Sequence, residues 1–238
     1  MNPRLRLRIT EGLLDTVLIT AMMILFALGC YFTCDSVHVF RNSTFSSVGR
    51  YLKDEQEIAD EMTVLSRDAV GWLILDDTGI SYPVMQGENN TDYLNTDPYG
   101  RFSLAGSIFL DCRNSRDFSD QYSLLYGHHM ANDAMFGALD HYYDEDYFRL
   151  HRQGILYAGD RKYELMVFAL ISCDANNSLI FDPGSKGKLI EFARKKALIF
   201  LEPEEGRVIG MSTCRDQGTL KRTVLLASLK EINENENA

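Results

Sequence analysis

The sequence predicts a mainly β domain, built as a barrel or a sandwich, behind one long apolar helix. Two observations carry the β reading. Short runs rich in β-branched and aromatic residues recur from Gly71 onward, and few helical patterns interrupt them. A third observation, an apolar run near the N-terminus, supplies the helix.

The apolar run, Leu13 to about Cys34, is long enough to cross a bilayer as a helix. Arg4, Arg6 and Arg8 precede it and favour an N-terminus held in the cytoplasm. A cleaved signal peptide has a shorter apolar core and a small-residue cleavage site, and no clean A-x-A site follows this run. An uncleaved anchor is therefore expected. Residues 35–70 read as a polar stalk and then a helix from Tyr51 to Leu65. Its Ile58, Met62 and Leu65 share one face and are expected to pack on the domain that follows.

From residue 72 to 85, WLILDDTGISYPVM reads as strand, turn, strand about Asp77-Thr78-Gly79. Further strands are expected at residues 107–111, 122–127, 154–158, 163–172, 207–214 and 223–229. One clear helix interrupts them, Ser185 to Leu201, with Leu189, Ile190, Phe192, Ala193 and Ala197 near helical spacing. The expected boundaries are a basic N-terminus (1–12), a transmembrane helix (13–34), a stalk and helical segment (35–70), a β domain (71–230) and a tail (231–238).

Charge and cysteine usage exclude several functions. Beyond residue 34 the chain carries 21 basic and 32 acidic residues. So acidic a body lacks the basic stripe that displaces counterions from nucleic acid. Cys30, Cys34, Cys112, Cys173 and Cys214 form no CxxC pair and no Cys/His zinc spacing. No metal-ligand set and no Gly-rich nucleotide loop is apparent, so no cofactor is expected.

Three local features carry chemistry together. YGHHM (126–130) follows a strand, MSTC (211–214) ends another, and TLKR (219–222) opens the last. Alone, each has an ordinary reading: a surface histidine, a buried thiol, a strand-edge charge. Together they offer a nucleophile, a proton carrier and a fixed cation for a developing oxyanion.

Here the chain resembles the sortase family, and class B within it. The matching stretches are GWLILDDTGISYPVMQG (71–87), NNTDYL (89–94), GSIFLDCRN (106–114), LLYGHHM (124–130), MSTC and TLKR. MSTC differs from the usual TLxTC, with Ser212 at the variable place, and His129 stands where class B often has Asn. The resemblance implies a closed eight-stranded β-barrel with N-terminal helices and a helix inserted between strands six and seven. It further implies a thioester reaction on a C-terminal sorting signal, resolved by an amine of the cell wall. Cys214 becomes the nucleophile, His128 the acid/base and Arg222 the donor to the substrate carbonyl or oxyanion. By the same resemblance, Asn90 and Leu94 match positions that line the class B groove, and Ser212 matches one beside the nucleophile. Leu179 and Ile180 occupy the loop before the inserted helix, where an aromatic–aliphatic pair often contacts substrate, and Leu179 departs from that aromatic. The expected partners are the sorting peptide of a surface protein, an amine acceptor such as a peptidoglycan precursor, and the membrane. The catalytic domain is then extracellular.

Two other readings use the same residues. A pilus-assembling sortase would join pilin subunits, and a silent membrane-tethered module would only bind peptide. A papain-like protease fits poorly, because its Cys precedes its His, whereas here the His comes first.

Overall fold

The computed structural model describes residues 3–43, 55–130, 133–214 and 221–232. They form two units, residues 1–41 and 42–238. The first is one helix, α1 (Pro3–Ser43), longer at both ends than the apolar run it contains. Its stretch Gly12–Cys34 is long and apolar enough to cross a membrane. The hydroxyls of Thr16, Thr20 and Thr33 donate to the carbonyls of Gly12, Thr16 and Gly29, each at 2.7 Å. Such back-bonding satisfies polar side chains without water.

The second unit begins, among the described residues, with α2 (Glu55–Val64), within the helix expected from Tyr51 to Leu65; residues 51–54 lie outside the described set. Ile58, Leu65 and Trp72 bury together, with Met62 against them. The expected apolar face of this helix does pack on the domain.

Nine strands follow among the described residues: β1 (Ala69–Leu75), β2 (Ser81–Met85), β3 (Ile108–Leu110), β4 (Tyr122–Tyr126), β5 (Gln153–Ala158), β6 (Arg161–Asp174), β7 (Ile199–Phe200), β8 (Arg207–Cys214) and β9 (Lys221–Glu231). The β1–β2 turn is the predicted one. Asp77 takes a left-handed conformation (φ 56°), and Thr78 Oγ1 bonds to the Leu75 carbonyl at 2.8 Å. Strand order is β5-β1-β2-β3-β4-β8-β9-β6-β7, and β5 also pairs with β6. That last pairing closes eight strands into a barrel, with the two-residue β7 appended to β6. The β2–β3 and β4–β8 pairs are parallel and the others antiparallel.

Two core layers explain the long apolar runs of the later strands. Leu125, Ile209, Met211, Leu225 and Ala227 belong to the main core, which draws on strands all round the barrel. Their alternating neighbours Leu124, Val208, Val224 and Leu226 pack instead in a second cluster with Leu189 and Ala193. These strands are buried on both faces, so period-2 alternation gives way to runs such as TVLLASL.

Leu189 and Ala193 lie on α5 (Lys186–Lys196), which follows the short helices α3 (Glu145–Leu150) and α4 (Ser178–Phe181). The helix expected from Ser185 to Leu201 therefore ends early. Ile199 and Phe200 leave it to pair with Leu170 and Ala169 of β6. Among the eight barrel strands, α5 still falls between the sixth and the seventh.

Candidate active site

The outer face beneath α4 and α5 runs on, at one end of the sheet, into an open cleft. Alternation places Tyr126 of β4 and Ser212 and Arg222 of β8 and β9 on that outer side. All three line a cavity of about 320 Å³, together with Asn90, Leu94, Phe109, His128 and Phe181. The chemistry-bearing positions are brought there by register. Tyr126 pairs with Ser212 across the parallel β4–β8 ladder, and Cys214 pairs with Arg222 across β8–β9. Continuing the parallel register by two residues brings the His128 backbone level with Cys214. The side chain of Cys214 and residues 215–220 lie outside the described set, as do Thr219 and Leu220 of the TLKR stretch.

His128 is fixed by its surroundings. The Gly127 amide donates to the Ser212 carbonyl at 3.1 Å, and the Phe136 amide donates to the His128 carbonyl at 3.1 Å. The imidazole Nε2 lies 2.7 Å from the Leu94 carbonyl oxygen. A carbonyl only accepts, so Nε2 carries the proton, and in the neutral ring Nδ1 is the basic nitrogen. Leu94 thus reaches the site through its backbone oxygen as well as through its place in the cleft wall.

Gly127 is closely packed by side chains. A Cβ there would run into Ile108 Cδ1 and stand 2.8 Å from Phe136 Cδ2. Gly127→Ala is expected to cost about 1–3 kcal/mol by overpacking, seen as a lowered thermal midpoint. Turnover should fall further than stability, because His128 is the next residue. An unchanged midpoint with normal turnover would count against this close packing.

His129 has a different setting. Its Nε2 pairs with Asp140 Oδ2 at 2.8 Å, and it does not line the cleft. The remaining cysteines also differ from Cys214 in position. Cys30 and Cys34 lie on α1, and Cys112 is half-buried behind Asn90, whose Oδ1 accepts from the Cys112 amide at 2.8 Å. Cys173 pairs with Arg222 from the β6 side. Burial, reinforced by Asp174 and opposed by Arg222, pushes its thiol up to about 11. At pH 7 only about one such thiol in ten thousand is ionised.

The positions expected to contact substrate divide. Asn90, Leu94 and Ser212 line the cleft with His128 and Arg222, whereas Leu179 and Ile180 do not. Ile180 is fully buried in the outer cluster, and its carbonyl accepts from the Tyr122 hydroxyl at 2.9 Å. The next residue, Phe181, forms that wall instead. Its ring stacks on Tyr126 at a centroid distance of 6.4 Å and 11° between planes, and Tyr126 in turn meets Phe109 at 5.4 Å. Phe109, Tyr126 and Phe181 were not singled out from the sequence. The pointer available was the aromatic expected beside Ile180, which lies after it and not before.

No family model matches the chain. It is 29% identical over 185 residues to sortase B of Staphylococcus aureus, covering 73% of this chain and 75% of that one. Among solved structures, it resembles a class B sortase of Streptococcus pyogenes involved in pilus biogenesis. There the identity is 33% and the TM-score 0.68, over 74% of this chain and all of the other. The Staphylococcus aureus sortase B–substrate complex matches with 26% identity and a TM-score of 0.67, over 81% and 93% of the two chains.

Proposed function

The chain belongs to the class B sortase family, and from that premise we propose that it cleaves a C-terminal sorting signal and transfers the protein to a cell-wall amine. The observation that carries this reading is the single cleft lined by His128 and Arg222, with the Cys214 backbone in register beside both. In this reading the Cys214 thiolate attacks the scissile carbonyl carbon. Arg222 donates to the oxygen as it becomes negative, a role suited to a guanidinium that never loses its charge. The protonated His128 gives its proton to the departing amine, leaving a thioester on Cys214. An incoming amine then attacks the thioester and passes a proton back to His128 as the thiolate leaves. Water in place of the amine gives hydrolysis.

Helix α1 is the membrane anchor in this proposal, with the N-terminus inside and the cleft outside. A second reading, the joining of pilin subunits, draws support from the 33% likeness to the Streptococcus pyogenes enzyme. One experiment addresses both. The domain from Ser36 onward is incubated with pentapeptide sorting signals, alone and with either triglycine or a lysine-bearing peptide. Cleavage with transfer to triglycine is the expected result. Transfer only to the lysine side chain would favour pilin joining, and peptide binding without cleavage would leave a silent module.

A further inference from the structure

Behind the cleft, bonded to residues that line it, lies a charged pair that does not itself line it, Asp111 and Arg113. Asp111 is fully buried, and its carboxylate accepts five hydrogen bonds. Arg113 bonds its Oδ1 through Nε at 2.8 Å and through the backbone amide at 3.0 Å, and its Oδ2 through Nη2 at 2.7 Å. The Tyr126 hydroxyl and Asn90 Nδ2 each reach Oδ2 at 3.0 Å. The same Arg113 Nη2 also donates to the Phe181 carbonyl at 2.7 Å.

Asn90, Tyr126 and Phe181 come from three separate segments: the connection after β2, the end of β4, and α4. All three line the cleft, yet Asp111 and Arg113 do not. We infer that the Asp111–Arg113 pair is a positioning strut that fixes the spacing of the cleft walls and thereby selects the peptide that fits between them. The inference rests on the peptide-transfer reading of the same cleft. Its basis is geometric: one carboxylate and one guanidinium tie Tyr126, the Asn90 loop and the Phe181 backbone into one body. The charge state agrees. Burial alone would raise the Asp111 carboxyl, but hydrogen bonds from Arg113 and Tyr126 outweigh it and hold the group below the usual carboxylate range.

The connection to Phe181 is the one most readily cut, because the Arg113 side chain is half exposed while Asp111 is not. Arg113→Ala should let α4 drift while the barrel stays folded. Loss of a charge-assisted hydrogen bond corresponds to about a tenfold effect. The expected result is therefore a KM for peptide raised about tenfold with kcat within about threefold. Arg113→Lys should recover part of the loss, since an ammonium cannot span both Asp111 oxygens and Phe181 at once. Asp111→Asn added to Arg113→Ala removes the buried charge that Arg113→Ala leaves without its cation, so it should restore stability while the raised KM persists.

A second readout needs no turnover. The amides of Leu179, Ile180 and Phe181 bond to Asn177 in the present structure. Their hydrogen exchange should quicken in Arg113→Ala while amides of β8 and β9 keep wild-type protection. Normal KM in Arg113→Ala beside an active wild type would overturn the strut, as would a kcat loss with KM unchanged. If the wild type turns over no peptide, the transfer reading fails, and exchange alone then decides. Quickening confined to residues 179–181 keeps the strut, and unaltered exchange removes it.

Discussion

Replacing Cys214 with alanine is expected to abolish both peptide cleavage and formation of a peptide–enzyme adduct, while Cys112→Ala and Cys173→Ala retain activity. Sulfur that forms the acyl intermediate has no substitute in the site, so the loss should reach the limit of detection. Cys173 is the instructive control. It pairs with Arg222 from β6 as Cys214 does from β8, so strand register beside the cation does not distinguish them. Burial and Asp174 keep the Cys173 thiol protonated, and the parallel partner that brings His128 alongside belongs to β8 only. Mass spectrometry of each mutant with a sorting peptide checks the assignment. An adduct that survives in Cys214→Ala, or turnover lost in Cys173→Ala, would place the nucleophile elsewhere.

The second large effect divides labour between the histidines and the arginine. His128→Ala should lower single-turnover cleavage by about 10²–10⁴-fold, the usual worth of a positioned acid–base group. His129→Ala should leave much of the rate, because its imidazole is committed to Asp140 away from the cleft. Arg222→Lys keeps the charge and loses the planar fork, and a missing oxyanion donor commonly costs about 10²–10³-fold. Circular dichroism should remain that of the wild type in all three. Near-normal turnover in Arg222→Lys, or a His129→Ala defect as deep as that of His128→Ala, would contradict these roles.

The barrel strands were legible in the sequence because β-branched and aromatic runs sit between clear turn residues. The runs over 207–214 and 223–229 became β8 and β9. What local pattern could not reveal was where a helical period stops. Ala197 to Leu201 continues the apolar spacing of α5, yet Ile199 and Phe200 pair with β6, and a sheet partner is invisible to a window of sequence. The short helices from Gly137 to Leu150 were missed for a related reason. Their aromatic residues Tyr142 and Phe148 plug the barrel core and carry no helical signal of their own.

The site was legible to different depths. Cys214, His128 and Arg222 stand at strand ends marked by short motifs. Asn90, Leu94 and Ser212 come from matched stretches and reach the cleft. Leu179 and Ile180 miss it, because α4 turns Phe181 to the cleft and buries Ile180. The Asp111–Arg113 cluster was beyond reach for a simpler reason. Its partners at positions 90, 126 and 181 meet only in three dimensions.

The place of β9 has a consequence for when the enzyme switches on. It is inserted between β6 and β8, pairing with one along Tyr163–Asp174 and the other along Arg207–Cys214. A chain is made from its N-terminus, so β9 follows both strands it pairs with, far behind β6 and directly after β8. Until β9 docks, β8 has no antiparallel neighbour and Cys214 has no arginine opposite it. In the proposed reaction, the nascent protein then carries the Cys214 thiol before the cation assigned to the oxyanion is in place. On the proposed assignment, a chain arrested before residue 222 holds the expected nucleophile without its expected cation and should be inert.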